Sequence, residues 1–122
     1  MKVFYAEDDQ MMQKMVAYSL IRMGHEVITV DNGKEALETL KSESFDFIIL
    51  DLFLPYYSGL DLAKILKQEL KTRTPIIILS RSGMDYLKKQ AKEIGVDEYL
   101  TKPIEPDLLL LKMKKYTGTA SG

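Results

Sequence analysis

Glu7-Asp8-Asp9, Asp51 and Ser80 each follow a short apolar run in this chain, and Lys102 follows a further predicted strand. The runs are Lys2–Ala6, Phe47–Leu50 and Ile76–Leu79, and Lys102 comes two residues after the mixed stretch Val96–Leu100, read as a fifth strand. Carboxylates brought together repel, and each disfavours ionisation of its neighbours. A hard cation resolves that conflict, and oxygen-only ligands with room for water suit Mg²⁺ better than zinc. Lys102 adds a compact positive charge for an anion, and Ser80 adds a small hydroxyl donor. A cation, a lysine and a hydroxyl around a carboxylate make a site for a phosphoryl group, whose charge in transfer needs neutralising. Asp51 is then the candidate nucleophile, forming an acyl phosphate. Each residue alone also has a plainer reading: Asp51 as a turn former, Lys102 as its salt-bridge partner. The four positions gathered on one edge favour the chemical reading.

Bringing them together needs strands that all end on one side. Phe47-Ile48-Ile49-Leu50 and Ile76-Ile77-Ile78-Leu79 are apolar β-formers without alternation, the pattern of central parallel strands buried on both faces. Lys2–Ala6, Glu26–Val30 and Val96–Leu100 supply three more predicted strands. Between them, helical spacing predicts a helix from about Gln10 to Met23, stopped by Gly24, with its methionines read as core filler save Met11 or Met12, which can fall outside the stripe. A second helix carries Ala36, Leu37 and Leu40 and ends near Ser42. A third, capped by Ser58, has the stripe Leu62, Ala63, Ile65, Leu66 and Leu70 and closes before Thr74-Pro75. The fourth opens at Ser82-Gly83 and runs through Met84, Leu87, Ala91 and Ile94 to Gly95. The last starts at Glu105 or Asp107 and runs through Leu108, Leu111 and Met113. Strands alternating with helices imply an α/β fold, a doubly wound five-stranded parallel sheet with five helices. The flavodoxin-like order 2-1-3-4-5 makes the first and third strands neighbours, with ligands expected beyond the carboxyl ends.

Bulk composition narrows the classes. The 122 residues suit one domain; 46% are apolar and 29% charged, enough for a core and too ordered a composition for disorder. A net charge of −1 gives no electrostatic footprint for nucleic acid or anionic membranes. With no cysteine, disulfides, thiolate zinc sites and thiol catalysis are excluded; a single histidine, His25, read as a surface residue, excludes a multi-histidine metal site. No signal-peptide pattern or membrane-length apolar run is present, so a cytoplasmic domain is expected. The domain is expected over residues 1–116, with the small, polar 117–122 as a flexible tail or the start of a linker.

The set Glu7-Asp8, Asp51 with Leu54-Pro55 and Ser58-Gly59, Ser80, and Lys102-Pro103 resembles the receiver domain of two-component response regulators, from Lys2 to about Tyr116. The resemblance implies that Asp51 accepts a phosphoryl group from the phosphohistidine of a sensor histidine kinase or phosphotransfer protein. It implies Mg²⁺ held by Asp8 and Asp51, by Glu7 through water, and by the backbone carbonyl of Phe53. It makes Lys102 and Ser80 the partners of the phosphoryl group, Ser80 and Tyr99 a switch pair, and the Lys102-Pro103 peptide cis. The protein would catalyse transfer to itself without turning over an external substrate. Its output face would be the fourth helix, fifth strand and last helix, where a homodimer is a possible assembly. Leu108-Leu109-Leu110-Leu111 cannot all face inward there, so at least one should be exposed or covered by a partner.

Two residues depart from the family pattern. Arg81 stands where a small residue is usual, and the bulky Phe53 lies two positions after Asp51. Together they are expected to restrict water and donor access and slow hydrolysis of an acyl phosphate. An FMN binder would need a Ser/Thr/Gly-rich phosphate loop where Glu7-Asp8-Asp9-Gln10 stands. A haloacid dehalogenase-type phosphatase would need an acid at Phe53. The remaining alternative is a degenerate receiver that acts as a phosphorylation-independent interaction scaffold.

Overall fold

The computed structural model describes residues 1–117, with only the backbone described at Thr117. The tail expected over 117–122 thus lies, from Gly118 onward, outside the described residues. The elements are β1 (Lys2–Ala6), α1 (Gln10–Arg22), β2 (Glu26–Val30), α2 (Gly33–Ser42), β3 (Phe47–Asp51), α3 (Gly59–Lys64), β4 (Ile76–Ser80), α4 (Asp85–Ile94), β5 (Glu98–Thr101) and α5 (Pro106–Thr117). All four strand pairings are parallel and the order is β2-β1-β3-β4-β5, as predicted.

The unbroken apolar runs of β3 and β4 occupy the centre, where every residue from Phe47 to Asp51 and from Ile76 to Ser80 is buried. Alternation divides each strand between two cores. Phe4, Ala6, Ile48, Leu50, Ile76 and Ile78 face α2 and α3 on one side. Val3, Tyr5, Phe47, Ile49, Ile77 and Leu79 face α1 and α5 on the other. A fully buried Leu or Ile is worth about 1.5–3 kcal/mol over an exposed one, so register here is strongly fixed. Pairing of Ala6 with Leu50, of Asp51 with Leu79 and of Ser80 with Thr101 aligns the strand ends on one edge.

The loop after β3 is held by two close backbone approaches. Gly59 donates to the carbonyl of Leu52 at 2.8 Å, and a Cβ at that position would lie 2.6 Å from the Asp51 carbonyl. Gly33 donates to the Pro55 carbonyl at 2.8 Å, and a Cβ there would lie 2.2 Å from the carbonyl oxygen of Tyr57. Ser58 and Asp61 form a reciprocal capping box that starts α3 next to the loop.

Several helix faces differ from the periodic reading. On α1 the inward residues are Val16 and Leu20, while Met11 is 82% exposed and Met15, Tyr18, Ile21 and Met23 are exposed as well. The helix has more apolar residues than its contact with the sheet can cover, so most of its methionines are not core. The third helix does not continue as an α-helix: Ile65–Glu69 forms a π-helical turn, closed by Leu70 N–H to the Ile65 carbonyl at 3.0 Å, and Leu70 is exposed. Helix α4 starts at Asp85, leaving Met84 outside and exposed. On α5 the inward residues are Leu109 and Met113, both 1% exposed, whereas the expected core positions Leu108 and Leu111 face outward. The run of four leucines requires at least one outside; two are. His25 is half-buried, with Nδ1 3.3 Å from the Met1 amino nitrogen.

Candidate functional site

The strand ends deliver the predicted acids and Lys102 to one cleft, lined by Glu7, Asp8, Asp9, Asp51, Phe53, Arg81 and Lys102, while Ser80 is buried and not part of its lining. Carboxylate oxygens of Glu7, Asp8 and Asp51 lie within 4.8 Å of one another. Glu7 and Asp51 are buried, and Asp8 is exposed at the rim. Lys102, with its side chain only 6% exposed, sets Nζ 2.8 Å from Glu7 Oε1, 3.0 Å from Glu7 Oε2 and 3.4 Å from Asp51 Oδ1. The lysine therefore answers Glu7 more closely than Asp51. The peptide between Lys102 and Pro103 is cis, as the resemblance implies.

Glu7 has further support that sequence reading did not identify. Tyr5 donates its hydroxyl to Glu7 Oε1 at 3.1 Å from within the core, and the Asp9 N–H donates to Oε2 at 3.3 Å. Gln13 donates its amide to the backbone carbonyls of Glu7 and Val30, at 2.9 and 3.0 Å, and so ties α1 to the ends of β1 and β2. Asp9 caps α1 through the Met12 N–H at 3.1 Å, a role signalled by an Asp immediately before a helical pattern. The contacts of Tyr5 and Gln13 have no such signal, since a strand tyrosine and a helix glutamine are ordinary core and surface residues in sequence.

The electrostatics of the cleft are unbalanced. Its four carboxylates and two cations leave a charge of −2 when all are ionised. Burial, reinforced by the adjacent Glu7 carboxylate and opposed by Lys102, pushes the Asp51 carboxyl up to about 7. Burial and the neighbouring Glu7 carboxylate likewise push the Tyr5 hydroxyl far above its ordinary value. A clustered, oxygen-only donor set with a net deficit of two positive charges fits a hard divalent cation. Phe53, the fourth expected metal-binding position, donates its N–H to Asp51 Oδ1 at 3.4 Å, and the residue is 56% exposed at the cleft.

Ser80 and Tyr99 sit on neighbouring strands and share a partner. Buried Ser80 Oγ accepts from the Ser82 N–H at 3.0 Å, while Tyr99 donates its hydroxyl to the Ser82 carbonyl at 2.6 Å. Both faces of the Ser82 backbone are thereby held, one from each strand. Arg81 lies between Ser80 and Ser82, with Nη2 3.4 Å from Asp9 Oδ2.

These features agree with similarity to known proteins. The response regulator receiver domain model matches residues 3–114. The alkaline phosphatase synthesis transcriptional regulatory protein PhoP of Bacillus subtilis is 35% identical over 105 residues, covering 86% of this chain and 43% of PhoP. The phosphate regulon transcriptional regulatory protein PhoB of Pseudomonas aeruginosa is 34% identical over 113 residues, 92% of this chain and 49% of PhoB. The chain thus spans about half the length of such relatives. Among solved structures, the Francisella response regulator 1452 receiver domain is 31% identical with a TM-score of 0.90, covering 98% of both chains. The receiver domain of the sensor histidine kinase PA1611 from Pseudomonas aeruginosa PAO1, with a magnesium ion coordinated in its active-site cleft, is 25% identical with a TM-score of 0.85, covering 97% of this chain and 98% of that one. Sequence, topology and the acidic edge of the sheet agree, and the chain belongs to the response regulator receiver-domain family.

Proposed function

We propose that this receiver accepts a phosphoryl group on Asp51 from the phosphohistidine of a sensor histidine kinase or phosphotransfer protein. The observation that carries the reading is the buried Asp51 carboxylate set beside Glu7, Asp8 and Lys102 Nζ on one sheet edge. An Asp51 carboxylate oxygen attacks phosphorus, the P–N bond of the donor breaks, and the imidazole nitrogen leaves with the electron pair while the donor ring takes up one proton from solvent. Asp51 gains an acyl phosphate and the donor histidine returns to its neutral form.

Asp8, Asp51, the Phe53 carbonyl and, through water, Glu7 are assigned to Mg²⁺. When bound, Mg²⁺ would neutralise the carboxylates and the oxygens of the incoming group. Lys102 supplies a fixed positive charge for the same group, and its contacts with Glu7 keep its long chain oriented. Ser80 is assigned to the phosphoryl oxygens after transfer. Reaching them requires release of the Ser82 N–H, and Tyr99 is fastened to the same residue, so the pair is suited to move together. The resulting change at β5 would be passed to a partner or an output domain. The protein turns over no external substrate in this scheme.

The test is intact-protein mass after incubation with a small-molecule phosphodonor, with and without Mg²⁺. The expected result is a phosphoryl-sized gain in wild type that requires both Mg²⁺ and Asp51, and is absent from Asp51→Asn. A wild type that gains nothing from the donor or from a phosphorylated histidine kinase would overturn the reading and favour the interaction scaffold.

A further inference from the structure

Arg81 is an exposed cation at the end of β4, yet its guanidinium reaches Asp9, at the other side of the cleft beyond the end of β1. Because β3 lies between β1 and β4, the pair spans the end of the strand that carries Asp51. Asp9, Asp51 and Arg81 line the same cleft. The two anchors of this bridge are fixed. Asp9 spends Oδ1 on the N-terminus of α1 and offers Oδ2 to Arg81. Arg81 follows Ser80 and precedes Ser82, whose backbone is held by Ser80 and Tyr99.

We propose that the Asp9–Arg81 pair is an electrostatic latch over the acidic cleft, in which Asp9 parks a cation that otherwise competes with Mg²⁺ for Asp8 and Asp51. Arg81 thereby acts as a positioning residue that sets how readily the cleft fills with the divalent ion. This deepens the receiver reading and rests on it for the identity of the ion. A guanidinium on a long flexible stem is otherwise free to fall onto a nearby carboxylate, and Asp8 is exposed at the rim. With Arg81 on Asp9, the approach to Asp8 and Asp51 carries less positive charge. Movement of the Ser80–Ser82 segment would carry Arg81 with it and break the latch, coupling cation occupancy to the switch.

The test is titration of the unphosphorylated protein with MgCl₂ alone, followed by backbone amide resonances near Asp51. The proteins are wild type, Arg81→Ala, Asp9→Asn and the double variant. Asn retains capping ability, so Asp9→Asn removes the charge while preserving the helix start. Removing a nearby cation should tighten Mg²⁺ binding about threefold or more in Arg81→Ala. Asp9→Asn should weaken binding in the presence of Arg81 and weaken it much less in the Arg81→Ala background. An unchanged affinity in Arg81→Ala, additive effects in the double variant, or no Mg²⁺ binding by wild type would each overturn the latch. Coupled effects on Mg²⁺ without phosphoryl uptake in the mass experiment would uphold the latch and reject the phosphoacceptor reading.

Discussion

At the scale of single residues, the cost of the site is concentrated in Asp51. Its folded-state carboxyl titrates near 7, above the ordinary 3.8, because burial and then Glu7 disfavour its charge more than Lys102 favours it. The folded protein therefore binds more protons than the unfolded chain between these values. Stability from this group is fully present below about pH 4 and declines as pH rises toward 7. A tenfold change in proton affinity between the two states corresponds to about 1.4 kcal/mol, so a carboxyl raised this far makes a measurable slope. In metal-free buffer at pH 8, Asp51→Asn should be more stable than wild type by about 1–3 kcal/mol in denaturant titration, with the gain fading toward pH 4. Adding Mg²⁺ should narrow the difference by stabilising wild type alone. A variant of equal stability at pH 8 would show that Lys102 already compensates the buried charge. The neighbouring Tyr5 has the opposite character, since its hydroxyl stays neutral and gives Glu7 a donor from inside the core.

At the scale of elements, α5 separates a packing role from a surface role within one leucine run. Leu109 is buried against the α1 side of the sheet, whereas Leu111, two residues on, is 64% exposed. Leu109→Ala should cost about 2–5 kcal/mol, the range for opening a cavity in a packed core. Leu111→Ala should change stability by about 0.5 kcal/mol or less. Urea unfolding of both variants checks the assignment, and equal losses would mean the helix is rotated from the orientation described. The loop after β3 makes a second demand. Gly59→Ala would drive a methyl into the Asp51 carbonyl, so the loop or the strand end must shift. Loss of stability together with displaced amide resonances around Asp51 is expected; an unperturbed Asp51 would show that the loop absorbs the methyl alone.

At the scale of the molecule, the two cores leave an uneven exterior. Leu108 and Leu111 on α5, Tyr86 on α4 and Met84 just before it are exposed, and Tyr99 on β5 is half-buried. Lys112 and Lys115 reach Glu98 on β5 at 3.4 and 3.8 Å, and Tyr116 donates to the same carboxylate, fastening the last turn of α5 to the sheet. This face is the proposed site of homodimerisation. Sedimentation over a range of concentrations, with and without a phosphoryl analogue, should show a dimer favoured by the analogue. A monomer under both conditions would assign the exposed leucines to another partner. Among the described residues, no helix is long and apolar enough to cross a membrane.

The number of strands, and the positions of Glu7, Asp8, Asp51, Ser80 and Lys102 at or just past their ends, were legible because each depends on local pattern; the strand order came from likeness to a known doubly wound fold. A doubly buried strand must be apolar throughout, and a residue after its last apolar position must lie at the sheet edge. The outward face of α1, the inward register of α5 and the π-helical turn after α3 were not legible, because surplus apolar residues fit more than one rotation of a helix. Only the packing against the sheet selects one. The contacts of Tyr5 and Gln13 with Glu7, and the bridge from Asp9 to Arg81, join residues whose side-chain directions no spacing rule specifies. The sequence by itself determined which chemical groups reach the edge of the sheet. The tertiary structure decided which of them pair, because burial depth and strand register set the distances at which charges and hydrogen bonds act.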